Sequence, residues 1–170
     1  MDGRERKLTG GCQCGAVRYA LHAPPEKASI CHCRMCQKAF GNFFAPFTGV
    51  RVGEFAWTRG APAIYKSSQL VERGFCRDCG TPLSFRYLDV DRIGITVGSL
   101  DDPARVTIAK QIGIESRLPA FATLHLVPEF ETRTFEPERR GEPEVAAAPG
   151  RGVSGAAHQS QYGARERGEA

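Results

Sequence analysis

The chain has 170 residues, a formal charge of +4 and seven cysteines. That length suits one domain with a tail. Its basic and acidic residues are interspersed without the Lys/Arg run of a nucleic-acid footprint, and no apolar stretch approaches the ~20 residues of a membrane span, so nucleic-acid and membrane roles are not expected.

Met1-Asp-Gly-Arg-Glu-Arg-Lys7 has no apolar run behind it and reads as a polar leader (1–7) rather than a signal peptide. The expected compartment is therefore the cytoplasm, where thiols stay free or bind metal. Residues 8–136 read as a mainly β domain. Val17-Arg-Tyr19-Ala-Leu21, Leu83-Ser-Phe85-Arg-Tyr87 and Ile93-Gly-Ile95-Thr-Val97 alternate with period two, as half-buried strands do. Asn42 to Phe47 and Leu70 to Phe75 are further expected strands. Arg34 to Phe40 is the expected helix, stopped by Gly41 in a left-handed cap. Ser99-Leu-Asp-Asp-Pro103 reads as a turn. From Pro137 onward apolar residues other than Ala nearly vanish, and five basic residues balance five acidic ones. Such a segment cannot bury enough surface to offset its ordering entropy, so 137–170 is expected to be a disordered tail.

The cysteines divide into four and three. Cys12-Gln-Cys14 and Cys76-x-x-Cys79 are close pairs, each followed by a glycine, Gly15 and Gly80. Together they offer the four thiolates of a closed tetrahedral zinc site. Such a site would tie the start of the domain to its middle. Cys31-His32-Cys33-Arg34-Met35-Cys36 offers three thiolates within six residues. A zinc held there keeps one position open, which is how catalytic zinc differs from structural zinc. Disulfides would need an oxidising compartment and fit an odd count poorly. Inert buried thiols do not usually come in short-spaced clusters.

The fourth ligand of the three-cysteine site stays open among His32, His125, His22, water and an incoming thiol. His32 lies between two ligands and reads as a packing residue. His22 reads as surface beside Pro24-Pro25, His125 sits in Thr123-Leu-His-Leu as strand or loop, and His158 falls in the tail. An open three-thiolate zinc suits sulfur chemistry: it binds and acidifies a thiol, which can then attack a carbonyl compound. Arg34, Lys38 and Arg73 could offset thiolate charge or hold substrate carboxylates; a solvated basic face is the favoured reading. Ser67 and Ser68 read as turn residues that could also bond a substrate. Phe40, Phe43, Phe44 and Phe47 read as core or pocket wall. Trp57 alone decides nothing.

Gly10-Gly-Cys12-Gln-Cys14-Gly15-Ala-Val-Arg-Tyr19, Cys31-His-Cys33-Arg-Met-Cys36-Gln37, Tyr65-Lys-Ser67-Ser68, Arg73-Gly-Phe75-Cys76-x-x-Cys79-Gly80 and Gly98-Ser-Leu-Asp101 occur in order from Leu8 to about Phe130. This pattern resembles the glutathione-dependent formaldehyde-activating enzyme family, which includes the centromere protein V type domain. The resemblance implies an Mss4-like zinc-bound β-sheet fold with a short helical segment. It implies two Zn2+ per chain, structural at Cys12, Cys14, Cys76 and Cys79 and catalytic at Cys31, Cys33 and Cys36. It also implies glutathione as co-substrate, a small-molecule thiol and aldehyde as partners, and a carbon–sulfur lyase that forms S-(hydroxymethyl)glutathione in formaldehyde detoxification. Two places depart from the family pattern. Pro119 is followed by Ala120 and Phe121 where members carry Pro-Trp, and Gln111 and Gly113 stand where members carry His and an aromatic residue. These positions are either pocket lining or core. The alternative function is a non-catalytic zinc module that binds a protein partner or, with less support, nucleic acid.

Overall fold

The computed structural model describes residues 7–132. Residues 1–6, 133–136 and the 137–170 segment with His158 lie outside the described residues. Among the described residues the chain folds as ten strands and one α-helix. They are β1 (Thr9–Gly11), β2 (Arg18–Leu21), β3 (Ala28–Cys31), α1 (Arg34–Phe40), β4 (Ala45–Val50), β5 (Phe55–Arg59), β6 (Ala63–Lys66), β7 (Val71–Phe75), β8 (Pro82–Tyr87), β9 (Ile93–Thr96) and β10 (Ile108–Ile112). Short 3-10 turns join them, and Pro119–Leu126 forms a longer 3-10 segment. The compact unit that holds these elements ends at Val127. No helix among the described residues is long and apolar enough to cross a membrane.

The strands form a three-stranded sheet, β1-β2-β5, and a seven-stranded sheet, β10-β3-β4-β9-β8-β7-β6. All pairings are antiparallel except that of β10 with β3, which sets Ile112 opposite Cys31. A single bridge between Gly10 and Leu100 links β1 to the chain just past β9.

The alternation expected along β2 and β9 shows in their burial, whereas along β8 it fails: Leu83 and Ser84 are both buried and Tyr87 is exposed, the register shifting opposite Phe75. Val17, Tyr19, Leu21, Leu83, Ile93, Ile95 and Val97 all lie in the core. Burying each large apolar side chain stabilises the fold by about 1.5–3 kcal/mol. Tyr19 is fully buried, bonds Ser99 Oγ at 2.7 Å and stacks edge-on against Trp57 at 5.9 Å. The helix runs over the expected residues and ends at Gly41 with φ 56°. The strand expected from Asn42 starts later, at Ala45. The reason is local: the Asn42 N–H still bonds the Gln37 carbonyl of the helix end, and Asn42 Oδ1 accepts the Phe43 N–H.

Candidate metal centres and the adjoining cavity

All seven cysteines are free thiols. The Sγ atoms of Cys12, Cys14, Cys76 and Cys79 lie within 4.8 Å of one another, as do those of Cys31, Cys33 and Cys36. The two thiolate pairs expected to share a site therefore meet, although 62 positions separate Cys14 from Cys76.

Two knuckles build the four-cysteine cluster. In the first, the Gly15 N–H returns to the Cys12 carbonyl and the Val17 N–H points at Cys12 Sγ at 3.2 Å. In the second, the Gly80 N–H returns to the Cys76 carbonyl and Thr81 Oγ1 lies 3.2 Å from Cys79 Sγ. Gly15 and Gly80 have φ of 77° and 74°, which the tight returns need. The Gln13 N–H bonds Thr81 Oγ1 and so links the knuckles. Sulfurs on one tetrahedral zinc stand about 3.8 Å apart, given Zn–S bonds near 2.3 Å. Cys12 and Cys14 Sγ are 3.5 Å apart and Cys14 and Cys76 Sγ 3.7 Å, so the donors are already spaced to fit that ion.

The three-cysteine cluster joins the end of β3 to the start of α1. Cys33 caps the helix, its sulfur accepting the Cys36 N–H at 3.4 Å. No fourth His, Asp or Glu ligand atom joins this group among the described residues. His32 is fully buried and turned to packing: Nε2 meets Gln111 Oε1 at 2.9 Å, and the ring stacks edge-on against Phe121 at 4.7 Å. His22 is exposed, as expected. His125 is exposed in the Pro119–Leu126 3-10 segment rather than in a strand or loop.

Crowding shapes the acidity of these thiols. Burial, then the neighbouring sulfurs of Cys36 and Cys33, push Cys31 up to about 12. Burial also raises Cys36, against the lowering effect of the Arg73 hydrogen bond. Burial opposes ionisation of Cys33 too, but the Cys36 N–H and the thiols of Cys31 and Cys36 outweigh it and pull Cys33 down. Burial likewise acts against Cys79, yet hydrogen bonds from Thr81 and Cys14 bring it to about 6. Three sulfurs this close cannot all ionise without a cation between them.

Arg73 corrects the favoured sequence reading of a solvated basic face. It is 9% exposed, with Nη2 3.7 Å from Cys36 Sγ, Nε bonded to Ser67 Oγ and its guanidinium 4.8 Å above the Phe85 ring. Arg34 and Lys38 remain exposed. Ser68 keeps its turn role, accepting the Leu70 N–H, whereas Ser67 is recruited to Arg73. Phe40 packs on Phe47 and lines a cavity of about 520 Å3 that Arg73 also lines. Phe44 packs on His32 and Phe121.

The departures at Gln111, Gly113 and Phe121 converge on one place. Gln111 holds His32, Phe121 covers its ring, and Gly113 presses on Cys33. They support the three-cysteine segment, Gln111 and Gly113 through the β10–β3 pairing and Phe121 from the 3-10 segment that follows. Gln37 is a further support that the sequence reading did not single out. Its side-chain amide donates to the His32 and Ser116 carbonyls at 2.7 and 2.8 Å.

A Schizosaccharomyces pombe protein described as an uncharacterized lyase is 32% identical to this chain over 78 residues, 46% of this chain and 56% of that protein. This chain thus spans just over half the length of that relative. A crystal structure of a Rhodobacter sphaeroides protein aligns with a TM-score of 0.49 at 24% identity, covering 61% of this chain and 98% of that one. The profile of the glutathione-dependent formaldehyde-activating enzyme family matches residues 7–115, a stretch that contains both cysteine clusters and Arg73, and the chain belongs to that family.

Proposed function

We propose that the protein is a zinc-dependent enzyme of the carbon–sulfur lyase type. It joins a small-molecule thiol, glutathione or a relative, to formaldehyde or another small aldehyde and yields an S-hydroxyalkyl adduct. The observation that carries this reading is the unequal pair of clusters: four sulfurs gathered in one, three in the other with no fourth ligand among the described residues. In this reading Cys12, Cys14, Cys76 and Cys79 hold a structural zinc, and Cys31, Cys33 and Cys36 hold a catalytic one. When bound at the three-cysteine site, zinc supplies a coordination position for a substrate sulfur and stabilises it as thiolate.

The chain's own residues tune that position. Arg73 sets a positive charge against Cys36 and offsets the excess negative charge of three thiolates around a dication. The Cys36 N–H does the same for Cys33 with a partial charge. His32, fixed by Gln111 and Phe121, braces the backbone between two ligands without joining them. In the reaction the substrate sulfur forms a bond to the carbonyl carbon. The C=O π pair moves to oxygen, and the proton lost by the thiol ends there. The free thiols suit a reducing compartment, which supports a cytoplasmic location.

Thiols add to formaldehyde unaided, so the test is adduct formation measured against the uncatalysed rate. The expected result is an acceleration that Cys36→Ser abolishes. No acceleration by zinc-replete protein would leave the non-catalytic metal module as the better reading.

A further inference from the structure

A second cavity, of about 380 Å3, lies where the chain enters β1, β3 and β10. Its walls are apolar. Leu8 and Leu21 are buried, Val106 is half-buried, and Pro24 and Pro25 stiffen the loop between β2 and β3. Three cations from separate segments line it: Lys7 before β1, Lys27 before β3 and Arg105 in the 3-10 turn that precedes β10. None of the three forms an ion pair among the described residues. The one acid in the lining, Glu26, is held by Arg92. Main-chain acceptors are engaged as well. The Leu8 carbonyl takes the Leu21 N–H, the Thr107 carbonyl the Ala28 N–H and the Glu26 carbonyl the Thr48 hydroxyl. Groups that would repel an anion are thus tied up within the fold, while the cations stay free. An excess of positive charge over apolar walls suits an anion with an apolar body. Lys27 stands about 13 Å of strand from Cys31, so the cavity lies apart from the three-cysteine cluster.

We propose that this cavity is a receptor for an organic phosphate. Cations on three segments can each meet a different oxygen of a tetrahedral phosphate, whereas a carboxylate offers two oxygens in one plane. Leu8, Pro24 and Val106 take the apolar body. Lys27 and Arg105 stand ahead of β3 and β10, the parallel pair, so a phosphate held between them ties the entrances of those strands together.

The test is calorimetric titration of the full-length, zinc-replete chain with AMP, inorganic phosphate and adenosine at low salt, where exposed charges are least screened. AMP is expected to bind at least about threefold more tightly than phosphate, through its apolar body, and adenosine not to bind. Lys27→Gln and Arg105→Gln, both at exposed positions, should each weaken AMP at least about threefold with zinc content unchanged. Lys66→Gln removes an exposed cation outside the cavity and should leave the affinity alone. Cys36→Ser should bind AMP as the wild type does. No binding of AMP, AMP no tighter than phosphate or than adenosine, or unaltered affinity in both cavity variants would overturn the proposal. An equal loss in Lys66→Gln would reduce the binding to diffuse attraction by net charge, and a loss in Cys36→Ser would move the phosphate to the metal; either result also overturns it.

Discussion

Gly113 lies directly against the backbone of Cys33. A Cβ at residue 113 would stand 2.8 Å from the Cys33 nitrogen, and φ there is +65°. The contact follows from β10 running parallel to β3, with the His32 N–H bonded to the Ile112 carbonyl at 2.9 Å. Gly113→Ala therefore meets both a clash and an unfavourable backbone conformation. It should lower stability by roughly 1–3 kcal/mol and loosen the zinc proposed at Cys31, Cys33 and Cys36. Denaturant midpoint and zinc content read the two effects separately. A wild-type midpoint with full zinc would show that the Cys33 backbone yields freely.

The two clusters should respond differently to loss of one sulfur. The wild type is expected to carry two zinc ions. Cys36→Ser should keep the fold and lose one ion. Cys76→Ser removes a ligand from the cluster that joins distant segments, where metal binding is worth on the order of 10 kcal/mol, and should unfold the domain. Elemental analysis with circular dichroism checks this. Equal unfolding by both substitutions, or one zinc in the wild type, would end the division into structural and catalytic sites.

His32 should prove a packing residue. His32→Ala removes a fully buried ring and strands Gln111, at a cost of roughly 2–4 kcal/mol. Both zinc ions should remain. Loss of one ion from a variant that still folds would instead make His32 a ligand.

Tyr19 predicts a loss of stability in alkali. Burial pushes its phenol up to about 12, against the lowering effect of the Ser99 hydrogen bond. The folded value lies above the unfolded one. Its contribution is thus complete below the unfolded value of about 10 and is lost as pH rises through the folded value. Denaturant midpoints of the wild type and Tyr19→Phe should converge above about pH 10. A constant gap across that range would contradict the assignment.

Much of this arrangement was legible in the sequence where spacing carries it. The cysteine clusters, the helix ending at Gly41 and the alternating strands around Tyr19 and Ile95 all rest on local periodicity or local chemistry. The edge strands were not legible. Every residue of β10 is exposed and β6 is exposed beyond Ala63, so neither has a buried face to impose a period. The late start of β4 came from a helix cap that reaches one residue past Gly41. Arg73 was the main miss. A charged residue in a short strand reads as solvated, and nothing near it in sequence announces a thiol 37 positions away.

The gathering of Cys12 and Cys14 with Cys76 and Cys79 has a consequence beyond the site itself. A metal bound only when these segments are together adds its binding free energy to folding, by an amount set by the free-ion concentration. The midpoint of unfolding then becomes a property of the solution as well as of the chain. Titrating a buffered metal should move the melting temperature steadily, and the slope would report how many ions the folded state takes up. Such a protein is stable only where the surrounding medium can supply the ion.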